Sequence, residues 1–457
     1  MATFFFCGIG GIGMSAIALY LKKTGHIVLG SDRSFDQNQN IKMKKYLEQA
    51  GIILFPQNGT SISPYINTFV VSTAVETHIP DVQKAKELQL NIKTRAQILA
   101  EIFDKYFGIA IAGTSGKTTT TAMVGHILFE TQHHPVMING GISQNTYNNN
   151  PPSNLLLDGD EICVIEADES DGSINQYTPD IAVLTNISLD HKPLDEIKPL
   201  FYNFLNRARK GIVLNADDRN SMDLHVDHPN IITFSVSGNE NATLKAADIS
   251  QQGTAISFNL NGMPTTLPFI GIHNLENALA AIGTCLHLGI SISESVSALQ
   301  TFLGVQRRLT LIGKPNDICI FDDYAHNPAK LKAALNSVRS FSKRIFAVYQ
   351  PHGFGPLRLM KDELIQTLSN VLDDQIEWIM LPVFYAGGTT QKDISSADII
   401  APLQQQGKRA VEIKTRDEVL AYLKKRTCPG DTVLVMGARD SSLTTFAQQI
   451  SGKLQEV

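Results

Sequence analysis

At 457 residues the chain is longer than a single hydrophobic core usually organises, so about two to four domains are expected. Hydrophobic residues at 43% and charged residues at 18% describe an ordinary globular composition, and the net charge of −5 argues against nucleic acid as the main partner. There is no apolar run long enough to span a membrane, and five scattered cysteines without a C-x-x-C pair indicate neither a disulfide framework nor a zinc site.

The chain opens with the apolar run TFFFCGIG, predicted as a strand, and passes through a helix to the strands HIVLGSD and NTFVVSTAV. Its first basic residue is Lys22, so the N-terminus lacks the charged region of a signal peptide, and a cytoplasmic protein is expected. Gly8, Gly10 and Gly13 fit G-x-G-x-x-G directly after a strand, and Asp32 closes the next strand, about where a ribose partner would lie. NAD, FAD, another nucleotide diphosphate and simple tight helix packing are all compatible with that pattern. The segment closes in the helix RAQILAEIF.

A second unit opens with GIAIAGTSGKTTTTAMVGHIL, a short buried strand at Ile109–Ala112 that feeds a helix through a glycine loop. Such a loop exposes backbone N–H groups at a helix start, where the dipole favours anions. Lys117 adds a mobile cation and the Thr118 hydroxyl can ligate magnesium, so the loop reads as a phosphate cradle for ATP or GTP. It is a shortened cradle, with only Thr114 and Ser115 between Gly113 and Gly116. The polar stretch NTYNNNPPSN, residues 145–154, reads as an exposed loop. The strand EICVIEAD then delivers Glu166, Asp168, Glu169 and Asp171 to its carboxyl end, where α/β sheets bind ligands and where magnesium finds carboxylates. DIAVLTNI repeats the logic with Asn186, Asp190 and His191. After the strand KGIVLNADD and a polar β-rich stretch, the helix NLENALAAIGTCLHLG begins beside His273 and Asn274. Asn274 and Asn277 can read adenine, and an N-cap is an equally good local reading for Asn274.

The third unit alternates strands and helices from LTLIGKPNDICIFDDYAHNP through RIFAVYQP and WIMLPVF to DTVLVMGARD. Arg307 and Arg308 stand at its entrance, suited to clamp a transferring phosphoryl group, and Asp323 beside His326 ends another strand. The alternation throughout predicts an α/β fold with mostly parallel sheets. The boundaries are placed at 1–106, 107–310 and 311–457.

Taken in order, G-x-G-G-x-G-M, G-T-S-G-K-T-T-T-T, E-A-D-E-S-D, T-N-x-x-x-D-H, H-N-x-x-N-A, R-R and D-D-Y-A-H-N-P resemble the ATP-dependent Mur ligases of peptidoglycan synthesis over almost the whole chain. The resemblance implies three domains: a Rossmann-like UDP-substrate domain, a phosphate-loop ATPase domain with a mostly parallel sheet, and a Rossmann-like ligase domain. It implies ATP and Mg2+ as cofactors and UDP-N-acetylmuramate and L-alanine as substrates, in a monomer or homodimer without membrane or nucleic-acid partners. A related ligase adding another amine or a recycled peptide is the alternative; an NAD-dependent oxidoreductase built on GIGGIG leaves the phosphate loop unexplained.

By the same resemblance Gly113, Thr114, Ser115, Gly116, Lys117, Thr118 and Thr119 would hold ATP phosphates. Thr118, Glu166 and His191 would serve magnesium, with Glu169 in support, and Asn274 and Asn277 would lie near the adenine. Arg308 and Asp323 would contact phosphate and ribose, with Lys117, His191 and Arg308 carrying the catalysis. Gly10, Gly11, Ile12, Gly13, Asp32, Ser72 and Thr73 would line the UDP moiety, and His326, His352 and Arg358 the acceptor region. Three places depart from the family's pattern. Lys192-Pro193 follows the expected metal histidine, Gly353 and Pro356 stand where arginines are usual, and the last strand ends MGARDSS instead of Gly-Ala-Gly.

Overall fold

The computed structural model describes residues 1–455 apart from 73–74, 149–152, 170–171, 189–192 and 386–390. Strands and helices alternate along the chain, as the sequence predicts. Two compact units emerge. One comprises Met1–Asp248, Asn259–Thr265 and Leu275–Val305, the other Ile249–Phe258, Thr266–Asn274 and Gln306–Val457.

The first unit begins with a parallel sheet of β1 (Thr3–Cys7), β2 (Ile27–Ser31), β3 (Ile53–Phe55), β4 (Thr68–Val71) and β5 (Ile92–Thr94), ordered β3-β2-β1-β4-β5. The first strand is central because its apolar run is buried between parallel neighbours. The helix Ile12–Lys23 buries Met14 to Leu21 against this sheet and the adjoining core.

A larger sheet follows, from β6 (Phe107–Ala112), β7 (Val136–Ile138), β8 (Leu155–Leu157), β9 (Ile162–Glu166), β10 (Ile181–Leu184), β11 (Gly211–Asn215) and β12 (Ile231–Ser235). Within a sheet of ten strands these seven run β12-β11-β10-β6-β9-β7-β8, parallel except for the antiparallel edge pair β7–β8. Strand β6 lies between β9 and β10, in register with both, so the three carboxyl ends emerge side by side. The chain continues through β13 (Leu244–Gln252), β14 (Ala255–Leu260) and β15 (Met263–Leu267) to the helix Ile272–Leu286. The helix Lys117–Glu130 is buried from Thr118 to Leu128, hence its threonine-rich, chargeless centre.

One expectation holds only in part. Residues 145–154 were expected as an exposed loop; Thr146 and Asn148 are exposed, but Asn145, Tyr147 and Asn154 are buried. Their amides substitute for secondary structure. Asn154 Nδ2 donates to Ile12 O at 2.6 Å, and Asn145 donates to Thr301 O at 2.9 Å while accepting from Leu303 N at 2.9 Å. Polar composition marks a loop but does not distinguish a solvated loop from one whose side chains satisfy buried backbone.

The second unit's sheet contains β16 (Thr310–Gly313), β17 (Cys319–Asp323), β18 (Ile345–Tyr349), β19 (Ile376–Met380), β20 (Ala410–Glu412) and β21 (Thr432–Met436). The order is β16-β17-β21-β18-β19-β20, parallel except for the antiparallel edge strand β16. Its two faces are covered by separate apolar clusters, one around Tyr349 and Trp378 and one around Phe346 and Phe446.

A buried histidine ties the phosphate-loop helix to its surroundings. His126 Nε2 lies 3.0 Å from both Ala298 O and Thr301 Oγ1, and burial lowers its pKa to about 4. The unfolded chain, with an ordinary histidine near 6.5, therefore binds the proton first as pH falls. Stability contributed by neutral His126 is complete above pH 6.5 and is lost on descending toward 4, on the order of 2–3 kcal/mol. Urea midpoints measured across that interval should fall for the natural protein and flatten for His126→Gln; parallel curves would refute the assignment.

Candidate active site

The phosphate loop is shaped by the end of the neighbouring strand. Beyond β10, Asn186 O accepts Thr114 N at 3.0 Å, and Asn186 Oδ1 accepts Ser115 N at 3.0 Å. Thr185 Oγ1 and Asn186 Nδ2 both donate to Ser115 O, at 2.6 and 3.0 Å. Thr114 Oγ1 exchanges bonds with the backbone of Ser188. Only glycine fits at 113, where φ is +132° and a Cβ would lie 2.1 Å from Thr185 Oγ1. At Gly116 a Cβ would meet Asn277 Oδ1 at 2.3 Å, which places Asn277 against the loop. Asn277 also bonds Thr120 Oγ1 at 3.3 Å.

Lys117 lies inside this frame. Its Nζ donates to Gly113 O at 2.6 Å and to Glu169 Oε2 at 2.8 Å, with Asp168 Oδ1 at 3.8 Å. Burial alone would lower its pKa, but Glu169 and then Asp168 outweigh that and raise it, so the ammonium stays charged. Glu166 ends β9 and accepts Gly140 N at 2.7 Å. The next residue, Gly141, has no space for a Cβ beside Thr118 Cγ2, 2.7 Å away, and Asn139 Nδ2 donates to Thr118 O at 3.2 Å. The segment Asn139–Gly141 thus bridges the helix start and the carboxylate strand. Sequence reading passed over it, although a glycine pair directly after a buried strand was a signal of close approach. His191, Asp190, Asp171 and Lys192 lie outside the described residues, and among those described no cluster of three His, Cys, Asp or Glu side chains could hold a metal.

In the first sheet, Gly10 N donates to Asp32 Oδ2 at 2.8 Å, while Asp32 Oδ1 accepts Ser34 N at 2.9 Å and Ser34 Oγ at 2.6 Å. Asp32 is therefore the brace of the glycine loop. Ile12 stays 43% exposed at the first turn of its helix, Gly11 N bonds Gly8 O at 3.3 Å, and Gly13 lies against Arg95. Ser72 O accepts Val75 N at 3.0 Å just beyond β4; Thr73 lies outside the described residues.

In the second unit, Asp323 ends β17 and accepts Leu309 N at 2.6 Å and Ala325 N at 2.7 Å. Burial raises its pKa to about 6, against the opposing pull of Arg308. Arg308 lies over the Tyr324 ring, 5.3 Å from its centroid. Arg307, which had been paired with Arg308 as a phosphoryl clamp, has a structural placement: its guanidinium donates to Gly437 O and Ala438 O and faces Asp322. Asn274 is not an N-cap, because the helix starts at Ile272 and its side chain donates to Ile270 O at 2.8 Å. His326 and His352 pack edge to face, centroids 5.4 Å apart. Arg358 projects from the helix Phe354–Leu359 and pairs with Asp393, its charge already answered. Gly353, at φ +72°, precedes that helix in a conformation that an arginine would find strained.

Strand, glycine loop, helix and flanking carboxylates define a phosphate-loop protein of the α/β class. The chain belongs to the Mur ligase family. The family's catalytic domain matches residues 3–107, its middle domain residues 111–285 and its glutamate ligase domain residues 307–439, so the architecture has three domains. A UDP-N-acetylmuramate–L-alanine ligase of Acetivibrio thermocellus is 34% identical, covering 95% of this chain and 93% of its own. One from Sulfurihydrogenibium sp. is 33% identical over 99% and 97%. The solved UDP-N-acetylmuramate–alanine ligase of Thermotoga maritima superposes with a TM-score of 0.81 at 24% identity, over the full length of both chains. A murein peptide ligase of Psychrobacter arcticus gives 0.69 at 23%, over 100% of this chain and 99% of its own.

Because Asn186 holds both the N–H and the carbonyl of Ser115, Asn186→Ala should release the loop. ATP affinity measured calorimetrically on the full chain should fall about tenfold or more, with secondary structure by circular dichroism preserved. Unchanged affinity would mean that the loop keeps its shape without the strand.

Proposed function

We propose that this protein joins L-alanine to UDP-N-acetylmuramate with cleavage of ATP, a step of peptidoglycan precursor synthesis carried out in the cytoplasm. The observation that carries the reading is the braced phosphate loop with buried, charged Lys117, in a chain matched end to end by alanine ligases. Residues 1–106 would take the UDP substrate, 107–310 ATP, and 311–457 the acceptor. Gly10, Gly11, Ile12, Gly13, Asp32, Ser72 and Thr73 are assigned to the UDP moiety.

The substrate carboxylate attacks the γ-phosphorus of ATP, the bond to the β–γ bridging oxygen breaks, and ADP leaves. The amine nitrogen then attacks the acyl carbon, inorganic phosphate departs, and a proton is lost from nitrogen as the amide forms. Such chemistry is mostly positioning and charge neutralisation. The loop Gly113–Thr119 would cradle the phosphates through the N–H groups that Asn186 does not occupy, and Lys117 would turn from Glu169 toward the transferring group. Arg308 and Asp323 are assigned to phosphate and ribose, and Asn274 and Asn277 to the adenine surroundings. The donor set at the loop fits Mg2+: a threonine hydroxyl at the helix start and the carboxylate of Glu166, both hard oxygen donors, bridged by Asn139–Gly141. Thr118, Glu166 and His191 are the assigned ligands. When bound, the ion would neutralise charge on the phosphate oxygens.

A second reading, transfer of a recycled peptide, is favoured only by Gly353 and Pro356, where the loop lacks arginines. Product masses after incubation with UDP-N-acetylmuramate, ATP and Mg2+ should show addition of alanine from a panel of L-alanine, glycine, L-serine and small peptides. Exclusive peptide addition would establish the second reading, and no amide from any amine would refute both. Lys117→Ala should reduce turnover by about 10²–10³ in a folded protein; near-normal turnover would remove the loop from the mechanism.

A further inference from the structure

Two asparagines face each other just past the ends of β7 and β8. The antiparallel register of Val136 with Leu157 and Ile138 with Leu155 carries on one step, and Asn139 N donates to Asn154 O at 2.9 Å. Asn139 is 1% exposed and Asn154 2%, so both amides act away from water. Each holds a carbonyl in the first turn of a helix that follows a glycine loop. Asn139 Nδ2 donates to Thr118 O at 3.2 Å, at the start of the helix Lys117–Glu130. Asn154 Nδ2 donates to Ile12 O at 2.6 Å, at the first residue of the helix Ile12–Lys23, and also reaches Ser15 Oγ at 3.3 Å.

The bond from Asn154 is not needed to satisfy the carbonyl that receives it. Ile12 O already accepts Ser15 Oγ at 2.9 Å within its own helix. What Asn154 adds is a link between parts of the chain 142 residues apart. On one side stands the helix that leaves the first glycine loop. On the other stands Asn139, and beside it Gly140 N donates to Glu166 Oε1 at 2.7 Å. The link has little room to slide. A Cβ at Gly140 would lie 2.8 Å from Glu166 Oε1, and one at Gly141 would lie 2.7 Å from Thr118 Cγ2. Ser143 N also bonds Ser153 O at 3.0 Å and closes the loop beyond the pair. All of these groups belong to the first compact unit.

We propose that Asn154 is a positioning residue for phosphoryl transfer: its amide holds the first glycine loop, which carries the UDP substrate, at a set distance from the phosphate loop. The proposal rests on the ligase reading above, which gives the two loops their ligands. That reaction joins a carboxylate held through one loop to a phosphorus held through the other, and the reacting atoms must come within about 3–3.5 Å. A misplacement of about 1 Å costs on the order of 10²-fold in rate. Each loop is braced within its own sheet, Gly10 by Asp32 and Ser115 by Asn186, and neither brace reaches the other loop. The bond from Asn154 to Ile12, continued through Asn139 to Thr118, sets one loop against the other.

The test is steady-state kinetics of the full chain with UDP-N-acetylmuramate, ATP and the amine that the natural protein joins, well below each variant's melting temperature. Asn154→Ala should lower kcat about 10–100-fold while the KM values for ATP and UDP-N-acetylmuramate stay within about threefold. Asn154→Asp keeps the shape but loses the donor near pH 8, and it should be impaired there. As pH falls its carboxyl takes a proton and can donate to Ile12 O again, so its kcat relative to the natural protein should rise. An unchanged kcat in Asn154→Ala overturns the proposal, as does a raised KM with kcat preserved, which would make the residue part of a binding site. An Asn154→Asp protein as active as the natural one near pH 8, or a ratio that stays flat with pH, overturns it too. If neither variant folds the proposal also falls, because the amide would then serve the fold itself. These outcomes are read against an active natural protein; one that joins no amine overturns the ligase reading and this proposal with it.

Discussion

The register between β6 and β10 is the constraint on which the glycine loop depends. Ala112 stands opposite Leu184, so the residues that follow, Gly113–Gly116 and Thr185–Ser188, leave the sheet together. A one-residue slip would point Thr185 and Asn186 to the opposite faces and strip Ser115 of three hydrogen bonds. The phosphate loop is short, and a short loop has few internal bonds with which to hold its shape. Here the adjacent strand supplies them. Because phosphoryl transfer depends on the placement of donors more than on covalent chemistry, this external bracing accomplishes what a longer loop does internally.

The same economy of position recurs in the second unit, with charges instead of amides. Asp322 is fully buried facing Arg307, and Asp440 is buried against Arg416. Removing one partner from such a pair would leave an uncompensated charge, a loss of about 3–5 kcal/mol. These pairs fix the backbone at the ends of β17 and β21 and leave Arg308 and Arg439 exposed on rigid mounts. Arg307 and Arg308 are adjacent in sequence and alike in chemistry, yet one is structural and the other exposed. The turn separates them: φ is +59° at Arg307 and +50° at Leu309, which sends the two side chains in different directions.

That difference shows what the sequence could and could not reveal. Alternation of buried runs with helical spacing was enough for the parallel α/β class, since strands covered on both faces must be apolar throughout, as in Ile109–Ala112 and Ile181–Leu184. The glycine loop was legible because Gly113 and Gly116 have no substitutes. The pairing of Lys117 with Glu169, the bridge at Asn139–Gly141 and the buried amides of Asn145 and Asn154 were not, because each depends on which strand lies beside which. Polarity suggested solvent for residues 145–154, and at Asn145 and Asn154 long-range hydrogen bonding overrode it. Asp32 shows the same limit: its place after β2 suggested a ribose partner, and only the loop geometry adds that its oxygens brace Gly10 and Ser34.

Lys117 joins these two kinds of constraint. An ammonium in water is strongly hydrated, and bringing it into a protein costs several kcal/mol before any partner compensates. In this chain the cost is met on folding, with Gly113 O, Glu169 and Asp168 supplying the compensation. A phosphate entering the loop therefore meets a cation already stripped of water and need only replace one anionic neighbour with another. Fixed backbone, a desolvated lysine and an acidic strand end are thus one device: Thr185 and Asn186 set the loop, and Glu169 and Asp168 keep the Lys117 ammonium charged within it.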